Sequence, residues 1–502
     1  MAILILLPLV GAIAAALTAA AKVSARLVGV VSLLFAVATL ALAIYFTAVF
    51  DAGQEGLRWS TDTAWIPALG VHFKVGVDGL NLFLLLLTAF LWVIATAASI
   101  WHRRFSSAVD DFSDNQAGLY FAMLALGESA VLGAFAAQDL VLFVAFFDLM
   151  LLPFYFLIGI FGGRQRVQAT TKFVIYTLVG SLLMLAGAVA TGVLSANDTG
   201  NLSFAFSDLA SAPLASSSQY WIFLLLAAAF LVKMPAFPIH AWMPDAYRQA
   251  PLPVVALLAA VLSKVGAYGF LKIALPLFPA AAAHFQELIL AVAVVSILYG
   301  SMLAFTNTEA RLIVGYSSLA QLGFITAGIF ALTPDGGQGA VIQMVNHGLV
   351  VGALFLIIGL LAARTNTDDI TKMGGVALRG PVFAGLFLVV TVATLAIPGS
   401  ANFVGELLIL LALFKAKIVF AIVASVGVVF AAIYMLRLFQ RSMHGRVGAG
   451  VDTRDIGGRD AILLGSLVAV IVTLAIYPQF ILKRTERSVT ESSPAQKGLA
   501  QR

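Results

Sequence analysis

Apolar stretches long enough to cross about 30 Å of hydrocarbon recur along the whole chain, separated by short polar turns. They fall near residues 2–21, 27–50, 78–101, 117–137, 139–161, 167–194, 220–239, 253–276, 285–305, 311–332, 338–363, 380–415, 417–440 and 460–482. The pattern predicts an all-α polytopic membrane protein of about 14 transmembrane helices. The first run, Met1 to Ala21, has no basic leader and no persuasive cleavage site, so it is expected to remain as a span. Two polar stretches, 51–77 and 195–219, are expected to fold over the mouth of the bundle without forming domains. The polar end, Thr485 to Arg502, is expected to be disordered.

Two of the runs are interrupted. The seventh ends in Lys233-Met234-Pro235-Ala236-Phe237-Pro238, where each proline lacks an N–H and clashes with the turn before it. Carbonyls around Leu231 to Met234 should therefore lose their helical partners, which is tolerated at membrane depth only against protein or a wet cavity. The twelfth is broken at Ile397-Pro398-Gly399-Ser400. It lies five spans downstream, an odd number, so the two broken units have opposite topology. Paired broken segments of this kind point to an inverted-repeat transporter core with its site near the midplane. The plainer reading of both breaks is a packing kink, with Gly399 and Gly405 permitting close helix approach.

Charge placement sets an orientation. With the N-terminus outside, the inner loops hold most of the basic residues, among them Lys22, Arg26, Arg103, Arg104, Arg164, Arg166, Arg248, Arg311 and Arg364. The outer loops hold only Arg58, Lys74, Lys415 and Lys417. The basic C-terminal tail is the exception. Composition, 61% hydrophobic and 11% charged, excludes an ordinary soluble domain. With no cysteine, thiolate-held clusters, disulfides and thiol nucleophiles are excluded as well. His72, His102, His284 and His444 fall in loops or at span ends. Only His240 and His347 sit deeper, which argues against a haem between paired histidines.

Titratable residues do occur inside the apolar runs. Glu128, Asp148 and Lys264 lie near the middle of theirs, Lys233 and Glu406 sit at the two breaks, and His347 follows Asn346. A charge at the centre of a span costs roughly 2.5 to 3.5 kcal/mol on the insertion scale, so each must be paired or hydrated. Acids, lysines and an imidazole are the groups that a proton relay uses. An ion pair at about 4 Å and an effective dielectric near 20 is worth about 4 kcal/mol, enough to switch a lysine between holding and releasing a proton. In such a relay, separation of Asp148 from Lys233 sends a proton towards Lys264, with His347 and Glu406 carrying it onwards. His240 is a candidate for proton uptake or connection. The plainer readings are a structural Glu128 that caps a helix or pairs with Lys264, a packing His347, an interfacial His240, and Lys172 and Lys272 snorkelling to the surface.

These residues lie in recognisable segments: Phe146-Phe147-Asp148-Leu149-Met150-Leu151-Leu152-Pro153, Lys233-Met234-Pro235 through Asp245-Ala246, Lys264-Val265-Gly266-Ala267-Tyr268-Gly269, Asn346-His347-Gly348, Asp369-Ile370-Thr371-Lys372-Met373-Gly374-Gly375 and Phe403-Val404-Gly405-Glu406. Over nearly its whole length the chain resembles the M-type (subunit 4) antiporter-like membrane subunits of proton-translocating NADH-quinone oxidoreductase, respiratory complex I. The resemblance implies helices 1–3 over residues 1–116, a first five-helix repeat over 117–276, an inverted second repeat over 285–440, and a last helix and tail over 441–502. It implies proton transfer through Asp148, Lys233, Lys264, His347 and Glu406, with Glu128 as a neighbouring acid. It further implies a bacterial plasma membrane protein, partnered by other membrane-arm subunits, that binds no cofactor of its own. NADH, FMN, iron–sulfur clusters and quinone would belong to other subunits.

The departures are specific. Asp148 replaces the glutamate usual in that family, and Tyr247 and Gln321 stand where histidines are common. Arg248-Gln249 stands where an acidic residue often precedes Ala250-Pro251. The other expectations open at this point are a subunit of a multi-subunit cation/proton antiporter, a subunit of a membrane-bound hydrogenase, and a purely structural membrane subunit.

Overall fold

Hydrocarbon offers no hydrogen-bond partner, so a chain this apolar has to satisfy its backbone internally, and in the computed structural model of the protein it does so with helices. The structure describes residues 1–53, 56–101, 114–448 and 451–492. Among these are 13 helices long and apolar enough to cross a membrane. A further crossing is assembled from two shorter pieces, Pro381–Thr394 and Ala401–Ala416, on either side of the expected break. Arg103, Arg104 and the tail basic residues Lys497 and Arg502 lie outside the described residues.

The helices are not equivalent. Pro334–Thr365 is enclosed along its whole apolar length, and Leu252–Leu277 and Ala310–Phe330 nearly so, whereas Ala2–Ala20 and Ala25–Val49 turn most of their surface outwards. Small residues permit the close approach of the inner helices. A Cβ on Gly266 would stand 2.5 Å from the Phe230 carbonyl, and one on Gly300 would stand 2.8 Å from that of Tyr316. The enclosed helices carry Lys264, Gln321, Gln343, Asn346 and His347, buried where protein groups must replace water.

The ends of the bundle add detail to the expectations. In the stretch 51–77, Arg58–Ile66 and Val71–Val77 form an antiparallel hairpin, the one sheet among the described residues. It turns at Gly70, whose φ of 61° suits a residue without a Cβ. The hairpin docks on the bundle through Asp139, which caps Leu140–Leu149 through the N–H groups of Val141 and Leu142. The same carboxylate also accepts from the His72 N–H.

The chain end is ordered further than polarity suggested, since Gln479–Ser492 is helical. Its apolar positions Ile481 and Val489 and the Thr485 hydroxyl are buried, while Glu486, Arg487 and Thr490 face away from the core. Ser488 accepts from the Gly79 N–H, and Phe480 meets Phe83 edge-on. An amphipathic stripe beside a polar composition was the signal missed.

Within the hairpin, partial burial works to raise the pKa of Asp62, but hydrogen bonds and charge from His72 and Lys74 outweigh it and hold the carboxyl below its ordinary value. A depressed folded-state pKa means the contribution is complete above the unfolded carboxylate range and lost as pH falls through the folded value. The protection of the Thr61 to Thr63 amides, taken relative to their intrinsic exchange rates, should therefore fall between about pH 6 and about pH 3, and Asp62→Asn should remove that fall. Equal protection of the native hairpin at both ends of the range would contradict the assignment.

Candidate functional site

Each break does what the prolines require. At the first, Ser216–Lys233 ends at Lys233, and the freed carbonyls find local donors. Met234 N–H reaches the Phe230 carbonyl at 2.9 Å, Ala236 N–H reaches that of Leu231 at 2.9 Å, and the Trp242 indole N–H reaches that of Val232 at 2.9 Å. The Phe237 N–H donates to Ser296 at 3.0 Å. Lys233 is thereby fixed, 5% exposed, with its ammonium 4.4 Å from the centroid of the Phe147 ring, a geometry suited to a cation over an aromatic face.

Asp148 lies beside it but does not pair with it directly. Its carboxylate accepts from the Ser181 hydroxyl, and the charges of Asp148 and Lys233 act on each other through space. The helix carrying Asp148 is itself jointed at Met150, between Leu140–Leu149 and Leu151–Gly159. Pro153 follows four residues after Leu149 and cannot donate to its carbonyl. Ser181 was not singled out from the sequence, since a lone serine in a span usually bonds its own helix.

Lys264 is 0% exposed. Its short α-helix, Ser263–Gly269, is flanked by two π-helical stretches, Leu258–Leu262 and Phe270–Ala274, which no sequence signal foretold. The π-turn widens the helix and leaves the Ala259 carbonyl able to accept from both Lys264 Nζ and Ser263 Oγ, each at 2.7 Å. Lys264 also reaches Ser263 Oγ at 3.3 Å, and no carboxylate pairs with it among the described residues. π-turns of this kind recur at functional sites. The expected alternative of a Glu128–Lys264 pair is therefore not found. Glu128 is 1% exposed with Oε1 unpartnered.

His347 stands within the electrostatic reach of Lys264, 2% exposed, with Nδ1 unpartnered. Next to it, Asn346 donates to the Ala401 carbonyl at 2.6 Å, tying this helix to the second break. Beyond that break Glu406 is 4% exposed and held by amides. Gln321 donates to Oε1 at 2.7 Å, and Gln343 donates to Gln321 at 2.7 Å and to the same carboxylate oxygen at 3.5 Å. Gln321, marked in the sequence only as a departure, is thus the nearest bonded partner of Glu406. Ser317 and Tyr434 add a hydroxyl pair at 3.0 Å close by. Both side-chain polar atoms of the fully buried Asn402 are unpartnered, as are Thr391 Oγ1 and Ser400 Oγ. No hydrogen bond joins Lys233 to Lys264 among the described residues. Phe230, which meets Phe147 and Phe270, packs on the Lys264 helix.

Other expectations change. His240 is buried rather than interfacial, stacked on Phe237 and edge-on to Tyr299 at 5.0 Å. Lys172 and Lys272 both have carboxylate partners. Lys172 pairs with Asp245 at 2.8 Å and Lys272 with Asp78 at 2.5 Å, the latter pair with side chains only 15% and 12% exposed. Arg248 forms a two-pronged pair with Glu309 at 2.8 and 2.9 Å. Tyr247 is buried against Gly315 and Phe355. No group of metal-ligating side chains occurs among the described residues.

A many-span bundle with two broken helices and an enclosed row of lysine, histidine and carboxylate side chains defines the class of antiporter-like membrane proteins. Residues 137–431 match the family described as NADH:quinone oxidoreductase/Mrp antiporter, transmembrane, and the chain belongs to that family. It is 36% identical over 460 residues to NADH-quinone oxidoreductase subunit M of Rhodobacter capsulatus, covering 90% of this chain and 87% of that one. To subunit M of Escherichia coli (strain K12) it is 35% identical over 447 residues, covering 88% and 86%. A chain of respiratory complex I from Thermus thermophilus with bound NADH superposes with a TM-score of 0.87 at 30% identity, covering 98% of both chains. A chain of the Mrp complex from Dietzia sp. DQ12-45-1b reaches 0.84 at 21% identity over 100% and 99%, a likeness of fold alone.

Trp242→Phe removes the indole N–H that donates to the Val232 carbonyl and leaves a buried acceptor open, at a cost of about 1–3 kcal/mol. The variant should unfold at a lower temperature than the parent in the same detergent. An unchanged midpoint would mean that Val232 has another partner.

Proposed function

We propose that this chain is the M-type proton-translocating subunit of a complex I membrane arm. In that role it moves protons by a relay of buried side chains, while electrons pass through other subunits that hold the redox cofactors. Its partners are the neighbouring membrane-arm subunits. The observation that carries the relay is Lys264: an enclosed lysine with no carboxylate partner among the described residues, seated on a π-turn carbonyl beside an open His347 nitrogen. Packing alone would place a leucine there, because an unpaired charge in that position is strongly unfavourable.

In this reading Asp148 and Lys233 form the switch. Their separation by a hydroxyl and a ring lets a small helix shift strengthen or weaken their attraction without breaking a hydrogen-bonded ion pair. Lys264 and His347 pass the proton on, Glu406 receives it among amides that hold the carboxylate in place, and Glu128 is the acid neighbouring the first step. His240 serves uptake or connection beside the first break. The unpartnered atoms of Asn402, Ser400 and Thr391 support a hydrated stretch at the second break, since buried polar atoms of this kind are where internal water binds. The division into 1–116, two inverted units over 117–276 and 285–440, and 441–502 accords with a break in each unit. The placement in a bacterial inner membrane with the N-terminus outside rests on the loop charges and on the bacterial relatives.

Lys233→Met and Lys264→Met test the relay in the assembled complex. Each should reduce proton flux through this subunit roughly tenfold or more, read as protons translocated per NADH oxidised in sealed vesicles, with complex abundance retained. Parent-level pumping by both would reject the relay and favour a purely structural subunit.

A further inference from the structure

The Lys272–Asp78 pair is not used by the relay described above, yet its placement is unusual. Asp78 already has a structural duty, since its Oδ1 accepts from the N–H groups of Leu80 at 2.9 Å and Asn81 at 3.1 Å where the Leu82–Trp101 helix begins. Its other oxygen takes Lys272 Nζ at 2.5 Å. The pair stands on the wall of a pocket of about 280 Å³ that lies between the hairpin and the Gln479–Ser492 helix and is also lined by Lys74, Gln138 and Ser488. That volume has room for several waters, and its walls carry the polar partners that water needs.

Tyr268 stands between Lys264 and Lys272 along the chain. Lys264 and Tyr268 are four apart within the α-helical turn Ser263–Gly269, so they share a face about 6 Å apart along the axis, and Lys272 follows in the π-helical turn Phe270–Ala274. Tyr268 is 0% exposed and its hydroxyl is unpartnered. The Asn81 amide lies beside the phenol; both of its N–H groups are taken by the Gly76 and Phe135 carbonyls, and its oxygen accepts from the Asp78 N–H. The Asp78 charge acts on the same phenol. A phenylalanine would pack as well against Phe135, which meets the Tyr268 ring edge-on at 5.4 Å. Packing therefore gives no reason for the hydroxyl, and a hydroxyl is the group that can accept a proton on one side while giving one up on the other.

We propose that Tyr268 and the Asp78–Lys272 pair form an outward branch of the proton path, joining Lys264 to the pocket beneath the hairpin. A proton leaving Lys264 reaches the phenol oxygen, directly or through one water. The phenol releases its own hydroxyl proton towards Asp78 and ends the step unchanged. Asp78 takes up that proton, which loosens its hold on Lys272, and then delivers it to the pocket. Re-ionised Asp78 recaptures Lys272 and resets the branch. Charge and proton number balance at every step, and no redox partner is needed.

The branch rests on the relay reading, and its test separates the two. Tyr268→Phe removes one oxygen atom, and Asp78→Asn keeps an oxygen for the Leu80 and Asn81 N–H groups while being unable to take up a proton. Both are compared with Lys264→Met in the assembled complex, by protons translocated per NADH oxidised in sealed vesicles. The expected result is that Tyr268→Phe and Asp78→Asn lower that ratio to the level of Lys264→Met, with complex abundance at the parent level. Parent-level pumping by Tyr268→Phe beside a deficient Lys264→Met overturns the branch and leaves the relay standing. Parent-level pumping by all three overturns both. Should Tyr268→Phe fail to assemble, Asp78→Asn decides by the same criterion, and a deficit there that follows complex abundance alone assigns the pair to structure and overturns the branch.

Discussion

One constraint governs this molecule: inside a bilayer, every backbone polar group and every charge must find its partner within the protein. Four of the titratable residues at depth, three buried and Asp148 half-buried, sit where the helical ladder is irregular. Asp148 precedes a joint, Lys233 ends a helix, Lys264 lies between two π-turns and Glu406 follows a break. The association is physical. A widened or broken turn frees carbonyls, and a freed carbonyl such as that of Ala259 needs a donor as much as a buried ammonium needs an acceptor. Two costly features thus offset one another.

The surrounding architecture follows. The helices carrying Lys264, His347 and Gln321 are the most enclosed of the bundle, and the outer helices shield them with aliphatic side chains. Seating differs along the row. The Asp148–Lys233 end is padded by aromatic rings, whereas the Glu406 end is a ladder of amides and hydroxyls. Aromatic faces stabilise a cation without consuming its protons, while amides hold a carboxylate in a fixed orientation. The two ends therefore suit lysine and carboxylate respectively, and exchanging them would serve neither.

Much of this was legible in the chain. The spans, the two breaks and the identity of the deep lysines, acids and imidazole could be read directly, because insertion energetics punish any charge placed in an apolar run without a purpose. The irregular backbone around Lys264 was not legible, since a π-turn leaves no mark in composition or spacing. Partners such as Ser181 and Gln343 were hidden for another reason: a hydroxyl or amide in a span is inexpensive enough to be common, and only its neighbours give it a role. The final helix was missed because polar composition was weighed above periodicity.

The sequence by itself determined that the protein crosses a membrane many times, where two crossings fail as regular helices, and which charges are carried to depth. These follow from local terms, the transfer of apolar side chains and the missing N–H of proline, which act at the residue where they are written. Tertiary structure alone decided which charges meet: Asp148 with Ser181 rather than with Lys233, Lys264 with a carbonyl rather than with Glu128, and Lys272 with Asp78. Those choices depend on ångström-scale distances between residues far apart in the chain, fixed only when the helices pack together.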